Sequence, residues 1–147
     1  MTSRSLVFPT IALLAVLTSR AMAADTVVPA ETAEPVSFID DIKPVLTEKC
    51  AHCHNRKTLP ERVSFETRKR AFAPDARGKV AIVPREPDAS LIVRVLEQPE
   101  LHEGAMPQTG PRPTPEDIAK IRQWVAEGAD WPTGKDGRIR PTFYAKE

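Results

Sequence analysis

The spacing of apolar residues along the chain predicts helices separated by long loops. The first apolar stripe lies on one face of a helix that begins near Ser37, and it consists of Phe38, Ile42, Val45, Leu46, Cys50 and Cys53. Ser37 can cap this helix, and Asp40 is favourable at the positive end of the helix dipole. Pro44 removes a backbone donor and crowds the preceding turn, so we expect a kink or a break there.

Two further stretches have helical periodicity. In PDASLIVRVLE (residues 87–97), four apolar residues share one face, namely Leu91, Ile92, Val95 and Leu96. TPEDIAKIRQWVAEG (residues 114–128) has the clearest helix start in the sequence, with Thr114 as the cap and Pro115 at the first helical position. Its inner stripe is Ile118, Ile121 and Val125, flanked by Trp124. Gly128 is expected to end this helix.

Polar segments separate the predicted helices. Residues 55–79 form a long connector with eight Lys or Arg against three acidic residues. Residues 80–84 (VAIVP) form a short extended apolar piece. Residues 24–36 have no sustained apolar periodicity and predict a flexible leader, and residues 133–147 predict a polar C-terminal tail. The pattern as a whole predicts an all-α chain with little strand signal.

Composition narrows the class of protein. The chain has 147 residues, which is enough for one domain, and a formal net charge of +1. Charged residues make up 28% and hydrophobic residues 41%, which is typical of a globular protein without the basic excess of a nucleic-acid binder. Aromatic residues make up only 5%, so a core built from side chains alone is expected to be modest.

The N-terminus has the features of a secretion signal. Arg4 precedes an apolar run from Leu6 to Leu17, and small residues at Ala21 and Ala23 predict cleavage before Ala24. This run is shorter than the roughly 20 residues that span a bilayer, so a cleaved signal peptide over residues 1–23 is favoured over a membrane anchor. We therefore expect a periplasmic protein with no membrane span after cleavage.

The stretch CAHCH, residues 50–54, contains both cysteines of the chain. A disulfide across two intervening residues closes a very small loop and would constrain the unfolded chain little. A redox-active pair is typical of a strand-to-helix junction in a βαβ unit, and nothing strand-like precedes Cys50. Zinc could be bound by Cys50, Cys53 and His54 with His52 or His102. Adjacent residues reach one tetrahedral centre with difficulty, however, and no second spaced pair is present.

Covalent haem is the interpretation that fits this spacing best. Cys-x-x-Cys-His is the attachment signature of c-type haem. Thiols at i and i+3 on one helical face can add to the two vinyl groups along one porphyrin edge, and the adjacent His54 can reach the iron. The sixth ligand is usually Met or His. Met106, the one methionine left after signal cleavage, lies in a Pro-rich loop and is restricted by Pro107. His102 remains the alternative sixth ligand.

Three stretches of residues 37–132 together resemble the planctomycete-type cytochrome c domain family: SFIDDIKPVLTEKCAHCH, VAIVPREPDASLIVRVL and GAMPQTGPRPTPEDIAKIRQWVAEGADWP. The resemblance implies a cytochrome c-like fold of three to four short helices and long loops wrapped around one covalently bound haem. It also implies Cys50 and Cys53 as thioether anchors, His54 as the proximal iron ligand and Met106 as the distal one. Members often have glycine where this chain has Asn55 and Arg85, and Asn accepts left-handed backbone angles more readily than Arg.

With both axial positions filled by side chains, we expect a one-electron carrier rather than an enzyme, with other redox proteins as partners and no nucleic acid. Two alternatives stay open, namely a haem-binding accessory or docking subunit of a larger redox enzyme, and a gas sensor or peroxidase-like protein with a displaceable sixth ligand. The basic connector could dock an acidic redox partner, pair with the haem propionates, or simply be solvated.

The haem would complete the modest core. We expect its apolar face to be covered by Leu46, Ile82, Leu91, Val95, Leu96 and Trp124. We also expect the first and last helices to pack crosswise, and the haem-free chain to fold poorly.

Overall fold

Four short helical regions organise the chain, as a computed structural model of residues 34–141 describes it. Within these residues there are helices and no strand, and an isolated antiparallel bridge joins Pro74 to Val80. The all-α class predicted from the sequence is therefore confirmed. The proposed signal peptide (residues 1–23), residues 24–33 of the leader and residues 142–147 of the tail lie outside the described part.

The first helical region covers residues 38–50 without interruption and is called the first helix here. It consists of a π-helical segment Phe38–Ile42, the α-helical segment α1 (Lys43–Val45) and a second π-helical segment Leu46–Cys50. The remaining helices are α2 (Arg68–Ala71), α3 (Leu91–Leu96) and α4 (Pro115–Ala126).

The first helix begins as predicted and continues past its proline. The Ser37 hydroxyl accepts a hydrogen bond from the Asp40 amide at 3.2 Å, which caps the helix. The chain does not break at Pro44, which lies inside this continuous helix at the start of α1. Its missing N–H falls where the turns change from π to α type. Wider π turns surround it, as in the 2.8 Å bond from the Ala51 amide to the Leu46 carbonyl.

Helix α4 begins and ends where the sequence predicts. The Thr114 hydroxyl accepts from the Asp117 amide at 3.1 Å, and the Asp117 carboxylate accepts from the Thr114 amide at 2.8 Å. This reciprocal pair is a capping box. The last helical residue is Ala126, and Gly128 follows at a φ of 115°, which only glycine adopts easily.

The middle of the chain differs more from the sequence pattern. Helix α3 is shorter than the predicted 87–97 because the Ser90 hydroxyl bonds to the backbone of Val83 and Glu86 and holds the preceding loop. Arg85 adopts a left-handed φ of 65° within that loop, and its amide donates to the Val125 carbonyl at 2.8 Å. A left-handed turn, which glycine adopts most readily, is thus formed here by an arginine. Helix α2 was not predicted, because four residues are too few for an apolar repeat.

An aromatic cluster joins the first helix to α4, so these two helices pack together. The Phe38 ring centroid lies 4.5 Å from that of Trp131 and 5.9 Å from that of Trp124. The Trp131 indole donates to the Gly137 carbonyl at 2.6 Å, which brings the segment after residue 132 against this cluster. In the described part of the chain, no helix is long and apolar enough to cross a membrane.

Candidate functional site

A cavity of about 1010 Å³ lies between the CAHCH turn, the basic connector, α3 and the loop that precedes α4. The four residues predicted to hold a cofactor all line it, namely Cys50, Cys53, His54 and Met106. Folding therefore brings the motif and a methionine about fifty residues downstream to one cavity.

The two cysteines lie on one helical turn. Cys50 is the last residue of the first helix. The turn that follows is closed by a 2.9 Å hydrogen bond from the His54 amide to the Cys50 carbonyl. Both thiols are free, with Cys53 exposed and Cys50 partly buried. Burial raises the pKa of the Cys50 thiol to about 12, and the neighbouring Cys53 adds to this. A neutral thiol at the C-terminal end of a helix is unlike the thiolates of redox-active pairs, which favour helix N-termini.

The imidazole of His54 is held in one orientation. Its Nδ1 lies 3.2 Å from the Val63 carbonyl oxygen, and its ring meets Phe65 edge-on at 5.7 Å. Because a carbonyl only accepts, this contact places the proton on Nδ1 and leaves the Nε2 lone pair free to bind a metal. Burial lowers the pKa of His54; the Val63 bond opposes this, and the charges of Arg62 and Arg77 reinforce it.

Asn55 fixes the backbone around the motif, a role that the sequence analysis missed. Its side chain is fully buried. Its Nδ2 donates to the carbonyls of Ala51 and His52 at 2.9 and 2.8 Å and to the Thr58 hydroxyl at 3.0 Å. Its Oδ1 accepts from the amides of Lys57 and Thr58, both at 2.9 Å. Its φ is not positive, so hydrogen bonding explains this residue better than left-handed backbone. The only local signal was the Asn-x-x-Thr spacing, which favours such turns.

Met106 is held at the cavity by the backbone of α3. Its amide donates to the Val95 carbonyl at 3.0 Å, and its side chain packs against the buried core. The peptide between Met106 and Pro107 is cis. His102, the alternative ligand, is exposed and does not line the cavity. Its Nδ1 accepts a 2.9 Å hydrogen bond from the Gly104 amide.

The apolar wall of the cavity matches half of the expected set. Leu91, Val95 and Leu96 line the cavity as predicted. Leu46, Ile82 and Trp124 do not line it and are buried in the core instead. For Trp124 the reason is local, because its ring packs in the aromatic cluster and its indole donates to the Asp130 carbonyl at 2.8 Å.

The basic connector is divided between two places. Arg62, Arg77 and Lys79 line this cavity, whereas Arg56 and Arg70 line a different one. Arg77 pairs with Asp75 at 3.1 Å. Within residues 34–141, neither Arg62 nor Lys79 forms an ion pair. Two cations without an ion-pair partner in this part of the chain therefore line the cavity that His54 also lines.

Residues 34–141 contain no group of three or more His, Cys, Asp or Glu side chains arranged to hold a metal ion by themselves. Comparison with models of known protein families, with curated proteins and with solved structures found no match. The chemistry of the cavity therefore carries the functional proposal.

Proposed function

We propose that this chain is a monohaem c-type cytochrome that carries single electrons in the periplasm. The proposal rests on one observation. Both thiols of the CxxCH motif, the imidazole of His54 and the thioether of Met106 line the same cavity of about 1010 Å³. These four groups are the set that a covalently bound haem with histidine and methionine ligands requires.

The residues present fit such a group. The cavity is at the upper end of the roughly 300–1,000 Å³ typical of cofactor sites. Cys50 and Cys53 would hold haem through thioether bonds, His54 offers a free Nε2, and Met106 offers a soft sulfur. Bound haem supplies one-electron exchange between ferric and ferrous iron. Because protein side chains would occupy both axial positions, substrate would have no open position, which favours an electron carrier over an enzyme.

The charged residues at the cavity suit the carboxylates of haem. Arg62 and Lys79 lack an ion-pair partner within residues 34–141, and both line the cavity. Propionate groups placed there would pair with these exposed cations through charge-assisted hydrogen bonds. We therefore assign part of the basic connector to the cofactor rather than to a protein partner.

The place of action follows from the N-terminus. Covalent haem attachment takes place outside the cytoplasm, which agrees with the export signal proposed for residues 1–23. The fold would then be cytochrome c-like, and the partners would be other redox proteins that exchange electrons at the cavity edge, where Cys53 is exposed.

A pyridine haemochrome spectrum of the protein expressed in a periplasm that loads haem tests the proposal. We expect c-type haem at one per chain, retained after acid–acetone extraction. The Cys50→Ala/Cys53→Ala variant should lose it, whereas His102→Ala should keep it. A wild-type protein that accumulates in the periplasm without covalent haem would overturn the proposal.

A further inference from the structure

A second cavity, of about 420 Å³, gathers arginines from three separate segments of the chain. Its charged and hydroxyl-bearing residues are Arg56, Glu66, Thr67, Arg70, Arg138 and Arg140. We propose that this cavity is a binding site for a phosphate group. The site does not depend on the haem proposal, since none of its residues lines the larger cavity.

The site is assembled by one contact between distant parts of the chain. The Ile139 amide donates to the Glu66 carbonyl at 3.0 Å, and the Ile139 side chain is buried. Burial alternates from residue 137 to residue 141, with Arg138 and Arg140 exposed on either side of Ile139. Residues two apart in such an alternating segment face the same way, so both guanidinium groups are presented together beside Arg70 of α2.

Glu66, the acidic residue of this cavity, already has hydrogen-bond and ion-pair partners. One oxygen of Glu66 accepts from the Arg56 amide and the Ser64 hydroxyl, both at 3.0 Å, and lies 3.5 Å from the Arg56 guanidinium. Glu66 therefore balances Arg56. Within residues 34–141, Arg70, Arg138 and Arg140 form no ion pair, which leaves the cavity with three uncompensated positive charges.

Phosphate suits this arrangement better than a single carboxylate does. Guanidinium groups bind phosphate oxygens through paired N–H donors, and a phosphoryl dianion has enough oxygens to accept from several arginines at once. The Thr67 hydroxyl can donate a further bond. The cavity lies within the size range of small-ligand sites, so such a phosphate monoester can belong to a soluble molecule or to the headgroup of phosphatidic acid at a membrane surface.

Titration calorimetry of the full chain with inorganic phosphate at low ionic strength tests the site. We expect saturable binding at one site, weakened at least tenfold in both Arg70→Gln and Arg138→Gln. Arg94→Gln is the matched control, because Arg94 is exposed and lines neither cavity. This substitution removes the same charge as the other two. Circular dichroism should show that all three variants fold. Absence of saturable binding, or equal weakening by Arg94→Gln, would overturn the proposal.

Vesicle co-sedimentation distinguishes the two sources of phosphate. The probes are vesicles of phosphatidylcholine alone and of equimolar phosphatidylcholine and phosphatidic acid, whose headgroup is a phosphate monoester. Binding to the anionic vesicles that Arg70→Gln and Arg138→Gln abolish, and Arg94→Gln does not, identifies a lipid headgroup. Saturable binding of free phosphate without vesicle binding identifies a soluble phosphate. Vesicle binding that all three variants weaken equally would show general charge attraction and would contradict a defined site.

Discussion

The Nδ1 atom of His54 lies 3.2 Å from the carbonyl oxygen of Val63, and the Phe65 amide donates to the carbonyl of His54 at 2.9 Å. The side chain and the backbone of His54 are thus both held by the connector that follows the motif. The Val63 contact decides which ring nitrogen is free, and the Phe65 bond fixes the backbone that carries the ring. The connector is rich in charged residues, yet it holds His54 in place at the cavity.

Replacement of Met106 tests the sixth ligand. In the haem-loaded protein, Met106→Ala should abolish the weak red absorption band of methionine-ligated ferric haem and lower the reduction potential, because methionine ligation raises it. His102→Ala should change neither, since His102 is exposed and lies outside the cavity lining. Visible spectra and redox titrations of both variants give the answer. An unchanged spectrum in Met106→Ala would exclude it as the ligand.

Replacement of Asn55 tests the scaffold of the motif. Asn55→Ala removes five hydrogen bonds, of which the one to the Ala51 carbonyl is buried and the other four are partly buried. We expect the free energy of unfolding of the haem-loaded protein to fall by about 2–4 kcal/mol. Thr58→Val removes one of these bonds and should cost about 1 kcal/mol. Denaturant titrations measure both values, and an equal loss in the two variants would contradict the central role of Asn55.

Features that depend on neighbouring residues could be predicted from the sequence. The start of α4 follows from Thr114 and Pro115 acting on adjacent backbone groups and is confirmed, whereas the haem interpretation of CAHCH, which rests on spacing alone, stays a prediction. Met106 became a candidate because cleavage of the proposed signal peptide would leave it as the one methionine of the chain.

Features that depend on contacts between distant segments could not be predicted. The second arginine cavity depends on the bond between Ile139 and Glu66, which no local pattern indicates. Trp124 packs in the aromatic cluster and does not line the cavity, because Trp131, which lies outside α4, packs beside it. The sequence also showed one basic connector, whereas folding divides its cations between two cavities.

Replacement of Arg85 tests the left-handed turn before α3. A φ of 65° is energetically unfavourable for a residue with a Cβ atom but not for glycine. Glycine, however, loses more conformational entropy on folding. We expect Arg85→Gly to raise the free energy of unfolding by about 0.5–1 kcal/mol, the balance of these two effects. Arg85→Ala keeps the Cβ atom and should give no gain. Thermal unfolding of the three proteins compares them, and equal gains in Gly and Ala would show that backbone strain is not the cause.

The ion pair between the first helix and α4 predicts a loss of stability in acid. Hydrogen bonds from Lys120, at 3.0 Å, and from the Ser37 amide, at 2.9 Å, lower the pKa of Asp41. A carboxylate with a lowered folded-state pKa stabilises the fold above its ordinary pKa. That contribution is lost as the pH falls through the folded value, which here means below about pH 4.

Asp41→Asn should therefore flatten the dependence of the unfolding free energy on pH below about pH 4. The change should be small, because solvent reaches both partners. Lys120→Met keeps the carboxylate and removes its largest stabilising contact, so it should flatten the same range in part, with the Ser37 bond accounting for the remainder. Denaturant titrations from pH 2.5 to 6 measure this. An unaltered acid dependence in both variants would assign the acid sensitivity to other groups.

Removal of haem should uncouple the two halves of the core. The aromatic cluster around Phe38, Trp124 and Trp131 is packed by protein side chains alone, whereas α3 and the Met106 loop meet the CAHCH turn across a cavity of about 1010 Å³. A cavity of this size far exceeds the voids that folded proteins usually contain, and its apolar wall would then face water. We expect the Cys50→Ala/Cys53→Ala chain to keep part of its helical circular dichroism but to unfold over a broad range without cooperativity. Met106→Ala, which keeps the thioether anchors, should unfold cooperatively. A sharp two-state transition in the haem-free chain, with native tryptophan signals, would show that the fold does not need the cofactor.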